Sequence, residues 1–159
     1  MSELGDIVRA ELERTQSLLV TQYDALGLRA SGTFEKELET YVKETGNNIK
    51  AGILGAPHSR FMEEGRGPNK RQDRGMIAFI YVKLLEWMKV KGITDINPWM
   101  AARKIVREGI TVPNKHNKGG VISGVINEAW LEGIQGTILD YQNSTYIDLV
   151  TSELKSVAV

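Results

Sequence analysis

The sequence predicts an α+β protein: a long N-terminal helix, a small antiparallel sheet of about three or four strands, and two or three further helices including a long C-terminal one. Three observations carry this. Apolar residues recur at helical spacing over residues 2–26. Two short alternating runs flank Asn47-Asn48, which reads as a hairpin. Beyond residue 76 the pattern is almost unbroken helix.

In the first segment Leu4, Val8, Leu12, Leu19, Tyr23 and Leu26 fall three, four or seven residues apart. Ser2 is placed to cap the start, and Gly27 to stop the helix. Residues 28–33, with Ser31-Gly32, read as a loop. Residues 34–44 fit two templates. Phe34, Leu38 and Val42 line one face of a strand opposite Glu35, Glu37 and Glu39, and the same apolar residues also make a helix stripe. Ile49, Ala51 and Ile53 alternate with Asn48, Lys50 and Gly52, which is a strand pattern. A strand needs a partner, so a hairpin turning near Thr45–Asn48 is expected.

Residues 57–70 form a shaped corner. Gly65 and Gly67 permit positive φ, and Pro68 drives the residue before it out of the helical region. Phe61 or Met62 is expected to anchor the corner in the core. Residues 66–75 then read as a solvated loop. Ile77, Ile80, Leu84, Trp87 and Met88 form the stripe of a helix over 76–91, with Phe79 and Val82 on flanking positions. A helix apolar on more than one side is buried or packed in an oligomer. Gly92 ends it. Asn97-Pro98 is an N-cap with proline in the first turn. It opens a helix over 98–108 with Ala101, Ala102, Ile105 and Val106 inward and Arg103, Lys104 and Arg107 outward. Residues 110–119 read as loop, and Val121, Ile122, Val125 and Ile126 as an apolar patch docking in extended form. A last helix follows the stripe Trp130, Ile134, Ile138, Tyr141, Thr145, Leu149 and Ser152. Gly133 and Gly136 weaken it by roughly 1 kcal/mol each against alanine.

At 159 residues with 42% hydrophobic composition, the chain reads as one domain, residues 1–159, with 127–159 a C-terminal helical extension. The absence of cysteine excludes disulfides, thiol chemistry and zinc–cysteine sites. The first twenty residues carry Glu3, Asp6, Glu11 and Glu13, unlike a signal peptide, and no apolar run reaches the roughly 20 residues that span a bilayer. Synthesis in the cytoplasm and no membrane partner are the expectations. The formal net charge of zero is segregated. Residues 1–44 hold five Lys/Arg against nine Asp/Glu, residues 45–120 hold fourteen against six, and residues 121–159 hold one against five. Such a pattern serves solvated faces, contacts between subunits, or nucleic acid.

No catalytic constellation emerges. His58 and His116 stand in no metal-binding spacing. Ser123, in Gly120-Val121-Ile122-Ser123-Gly124, misses the nucleophile elbow by one position on each side. Glu63 and Glu64 are adjacent and point to different faces, so they do not converge as an acid–base pair. The expectation is a protein that is not an enzyme, with no cofactor and no metal. The basic segments 60–74 and 103–118 offer non-specific phosphate contacts, which makes a nucleic-acid-binding protein the alternative.

The order of motifs resembles the small neck and tail-completion proteins of long-tailed double-stranded DNA bacteriophages. The corner Phe61-Met62-Glu63-Glu64-Gly65-Arg66-Gly67-Pro68 is similar to that family's Tyr/Phe-x-Glu-x-Gly-Thr/Arg-Gly-Pro. Trp87-Met88-Lys89-Val90-Lys91-Gly92-Ile93 resembles its Trp…Lys-Gly-Ile helix end, and Ala102-Arg103-Lys104-Ile105…Gly109 its Ala-Arg-Lys-Ile…Gly helix. The likeness covers roughly residues 30–126. One departure stands out: the family's Pro-Phe-Leu-like anchor is replaced by Val112-Pro113, then Asn114–Gly120, then Val121-Ile122-Ser123. The resemblance implies a small α+β virion subunit that forms a hexameric or dodecameric ring at the head–tail junction. DNA would pass through its lumen, with neck, portal-adaptor or tail-tube proteins as neighbours. It implies assembly in the host cytoplasm, residence in the virion neck or tail, and strand for residues 34–44. On that reading Arg60, Glu63, Glu64, Arg66, Arg103 and Arg107 are candidate interface residues, and Phe61, Gly65, Gly67 and Pro68 form the structural corner.

Overall fold

The computed structural model describes residues 1–30 and 32–157; Ser31 of the expected 28–33 loop lies outside the described residues. The architecture is α+β. Helix α1 (Glu3–Ala25) is followed by a short α2 (Thr33–Lys36) and an antiparallel hairpin, β1 (Glu39–Thr45) and β2 (Asn48–Leu54). Next come α3 (Arg60–Glu64) and β3 (Gly65–Arg66), then α4 (Arg74–Lys91) and α5 (Pro98–Glu108). The chain finishes with β4 (Ile110–Thr111) and α6 (Glu128–Val157). The four strands form two separate antiparallel pairs, β1–β2 and β3–β4.

Helix α1 is the bed on which the β1–β2 hairpin and the first half of α6 lie. The Ser2 hydroxyl caps it by accepting from Gly5 N, and Gly27 leaves it in the left-handed region. Its buried stripe is Gly5, Leu12, Thr15, Leu19 and Tyr23. The hairpin runs alongside: Gln16 donates to the Leu38 carbonyl at 3.1 Å and accepts from Thr40 at 2.8 Å, and Ser2 donates to Glu44 at 2.7 Å. Its register pairs Thr45 with Asn48, leaving Gly46-Asn47 as the turn. The first apolar run of the sequence is divided between two elements. Phe34 is buried on α2 against Tyr23, with ring centroids 4.6 Å apart, and only Glu39–Thr45 is strand. Strand reading therefore fails for residues 34–38, because the chain needs a helical turn there to bring Phe34 under the end of α1.

Two apolar clusters make up the core. One joins Leu19, Tyr23, Phe34 and Val121, with Leu38, Ile53, Met62, Val125 and Ile126 packed around it. The other joins Ile77 of α4 with Ala102 and Val106 of α5, surrounded by Met76, Ile80, Tyr81 and Leu84. Helix α4 starts at Asp73, whose carboxylate accepts from Met76 N at 2.8 Å, and Asn97 caps α5 through Trp99 N and Met100 N. The Val121–Ile126 stretch docks as expected but not extended. Val125 N and Ile126 N both donate to the Ile122 carbonyl, so it forms tight turns that seat Val121 in the core with no exposed surface.

Residues 66–75 and 110–119 are not wholly solvated loops. Their first residues pair as β3 and β4, Gly65 opposite Thr111 and Arg66 opposite Ile110. Gly65 and Gly109 have φ of 75° and 83° with ψ near −170° and −160°, a conformation that glycine alone adopts readily. A Cβ on Gly65 would overlap the Ile110 carbonyl oxygen, and one on Gly109 would overlap the Arg66 carbonyl oxygen. Gly67 has open space around its Cα and is absent from the positive-φ glycines, so of the two corner glycines only Gly65 uses the positive φ that glycine permits. Gly65→Ala and Gly109→Ala should each cost about 3 kcal/mol or more, since left-handed strain adds to a backbone collision. Gly67→Ala should cost less than about 1 kcal/mol. Urea denaturation of the three variants measures the contrast.

Candidate functional site: the 57–70 corner and the surfaces around it

Helix α3 and the residues after it place the corner's side chains in three different settings. Met62 packs into the α1 cluster, whereas Phe61 is 43% exposed, with the Arg60 guanidinium 6.0 Å from its ring centroid. The core anchor is therefore Met62, one of the two residues the sequence offered, and Phe61 stays at the surface.

Glu63 also turns inward. Its carboxylate accepts from Ile122 N at 3.1 Å, from Ser123 N at 3.3 Å and from the Ser123 hydroxyl. Partial burial raises its pKa, but the Ser123 hydroxyl and the Ile122, Ser123 and Val121 amides outweigh that, and the carboxyl sits below its usual value. Nearby, Asn117 donates to the Met62 carbonyl at 2.8 Å, and Gln22 of α1 donates to the Gly120 carbonyl at 3.0 Å. Glu63 is thus a fastening between the corner and the Val121 turn, not a group offered to a neighbour. Ser123 serves the same clamp. Nothing in the sequence spacing joins residues 63 and 123; only the tertiary fold does.

Arg66 is half-buried and donates to Asn69 within its own loop, so it too is corrected from interface to internal role. Pro68 is exposed on that loop. The loop is held because Asn69 N donates to the Val106 carbonyl at 2.9 Å.

The remaining candidates face solvent. Arg60 and Glu64 form an exposed i,i+4 pair at 3.4 Å, a geometry worth a few tenths of a kcal/mol. Arg103 and Arg107 lie along the outer side of α5 with Met100 and Lys104, in a shallow groove bounded by Ile96. The Asn69–Val106 bond brings the basic 66–74 loop beside the last turn of α5, so two basic segments distant in sequence meet. His58 and His116 are both exposed, His116 edge-on to Trp87 at 5.5 Å. Among the described residues no three His, Asp or Glu side chains cluster closely enough to hold a metal ion, and no helix is long and apolar enough to cross a membrane.

The larger feature is one the sequence suggests only in part. Helix α6 packs antiparallel on α1: Trp130 donates to Thr15 Oγ1 at 2.8 Å, and Tyr141 to Glu3 at 3.3 Å. Tyr141 thus reaches the beginning of α1. From Gln142 to Lys155 every residue is exposed except half-buried Val150, so the helix runs on past the body. Leu139, Tyr146, Ile147, Leu149 and Leu154 are 56–67% exposed. On α4, Phe79, Val82 and Val90 are 51–60% exposed. The second apolar side of α4 faces solvent in the single chain.

Comparisons with protein-family models, curated proteins and solved structures return no match to this chain.

The Glu63 clamp yields a pH prediction. Its folded pKa lies below the unfolded value, so its stabilisation is present above the unfolded pKa near 4.5 and is lost as pH falls through the folded value. Glu63→Gln should lower stability at pH 7 by about 1–3 kcal/mol and reduce the acid-side slope. Denaturation midpoints from pH 7 to pH 3 test both effects, and parallel curves for the two proteins would refute them.

Proposed function

We propose that this chain is a structural subunit of a tailed bacteriophage virion, a neck or tail-completion protein that forms a ring at the head–tail junction. One observation carries the assembly part of the reading. The chain exposes 11,078 Å², whereas a compact monomer of its mass exposes about 8,000 Å². Exposed large hydrophobic residues gather on two helices: Phe79, Val82, Leu85 and Val90 on α4, and Tyr146, Ile147, Leu149 and Leu154 on the overhanging part of α6. Surface of that kind and extent marks protein–protein contact. The phage assignment rests on the ordered motifs of residues 61–68, 87–93 and 101–110. It is supported by the way the corner is built: glycines where backbones cross, a methionine inward, and charges left outward at Arg60 and Glu64. DNA passing through such a ring needs no sequence-reading side chains.

A second reading is favoured by the meeting of the 66–74 loop with α5: a protein that binds nucleic acid non-specifically through Lys70, Arg71, Arg74, Arg103 and Arg107. Duplex binding by the isolated chain at micromolar affinity or tighter in physiological salt, weakening steeply as salt rises, would support it over the first.

The virion reading is tested on purified tailed particles carrying the chain. Mass spectrometry should find it as a stoichiometric component, and immunogold labelling should place it at the neck or tail end. Arg103→Glu with Arg107→Glu should lower its incorporation about tenfold or more while circular dichroism stays unchanged. Absence of the chain from purified particles would overturn the reading.

A further inference from the structure

We infer that the overhanging half of α6 in one copy docks on the outer face of α4 in the next copy. This deepens the ring reading above by naming the two surfaces that join subunits, and it can fail without that reading failing.

The two faces match in shape. Beyond Tyr141, α6 continues for sixteen residues to Val157, about 24 Å of helix. Helix α4 has 18 residues, about 27 Å. Along α6, Leu139, Asn143, Tyr146, Val150 and Leu154 recur every three or four residues, a stripe on the side away from α1. Ile147 flanks it. Along α4, Phe79, Val82, Glu86 and Val90 make the corresponding stripe opposite the buried Ile77 and Met88, with Leu85 at its edge. Each stripe is mostly apolar, and each carries one polar member.

The charges select the occupant. Beyond Tyr141 the overhanging half of α6 carries Asp148 and Glu153 against Lys155 alone, and Glu128, Glu132 and Asp140 add to the acidic character of the helix. Two copies of α6 laid together would bring like charges close. Helix α4 has Arg74, Lys83, Lys89 and Lys91 against Glu86 alone. Lys83 and Lys89 flank its apolar stripe and are exposed, and Lys83 makes only a 3.4 Å contact with Glu86 inside the same helix. An acidic apolar helix therefore meets a basic apolar one. The donor and acceptor surfaces differ, so the contact is heterologous. It propagates from copy to copy and closes into a ring when the rotation permits.

The absence of cysteine makes the test direct. Val82→Cys and Val150→Cys are prepared as separate full-length chains, mixed, and treated with a short bismaleimide. Cross-linking between the two variants, exceeding that within either variant alone, is expected. Analytical ultracentrifugation should show that Phe79→Glu with Val82→Glu weakens self-association at least about tenfold, with helix content unchanged by circular dichroism. Val150→Cys chains linking only to each other would overturn the inference in favour of paired α6 helices. Oligomers that persist in the Phe79→Glu/Val82→Glu chain would overturn it while leaving the ring reading intact. A chain that stays monomeric at every concentration would also overturn it, and the ring reading would then stand or fall on the particle measurements.

Discussion

The body of this protein is held together where two stretches of backbone cross at Gly65–Gly67 and Gly109–Thr111. On one side lies the cluster that α1 builds with Phe34, Met62 and Val121; on the other lies the α4–α5 cluster of Ile77, Ala102 and Val106. The crossing joins them through a two-residue ladder whose partners approach so closely that neither Gly65 nor Gly109 has room for a side chain. Asn69 N on the Val106 carbonyl extends the joint. Lys91 adds a second tie, its ammonium donating to the carbonyls of Gly27 and Arg29 at the end of α1. Each cluster is small, with few residues fully withdrawn from water. Their combined stability therefore depends on keeping the two halves in register.

The Glu63 clamp belongs to the same logic. A carboxylate that receives two amides and a hydroxyl substitutes for secondary structure in a segment that has none. It fixes the turn carrying Val121, and that turn sets where α6 begins. Met62 and Glu63, adjacent in sequence, thus secure the corner by different means, one through apolar burial and the other through hydrogen bonds. What the corner leaves outside, Arg60, Phe61 and Glu64, is a modest exposed group. The extensive exposed apolar surfaces are on α4 and α6, and it is these that the proposed assembly covers. A helix with a second apolar side is explained by a neighbour more economically than by a lone chain.

Much of this was determined by the sequence alone. The spacing of Leu12, Leu19 and Tyr23, the Ser2 and Asn97 caps, the Gly27 and Gly92 stops and a hairpin turn within Thr45–Asn48 are local properties, and each appears where the pattern places it. Local patterns also marked Ala102 and Val106 as inward and Arg103 and Arg107 as outward. Tertiary structure decided what local rules cannot express. Phe34 left the strand for a helical turn because α1 ends above it. Of Phe61 and Met62, it was Met62 that reached the α1 cluster, while Phe61 stayed exposed. Glu63 and Arg66, which read as candidates for a subunit interface, found partners inside the fold. The corner's glycines looked alike, yet only Gly65 is pressed against another strand, because the strand that presses on it arrives from residue 110. The Glu63–Ser123 bond joins residues 60 apart, and Gly65 meets Ile110 from 45 residues away; no spacing within a segment encodes such contacts.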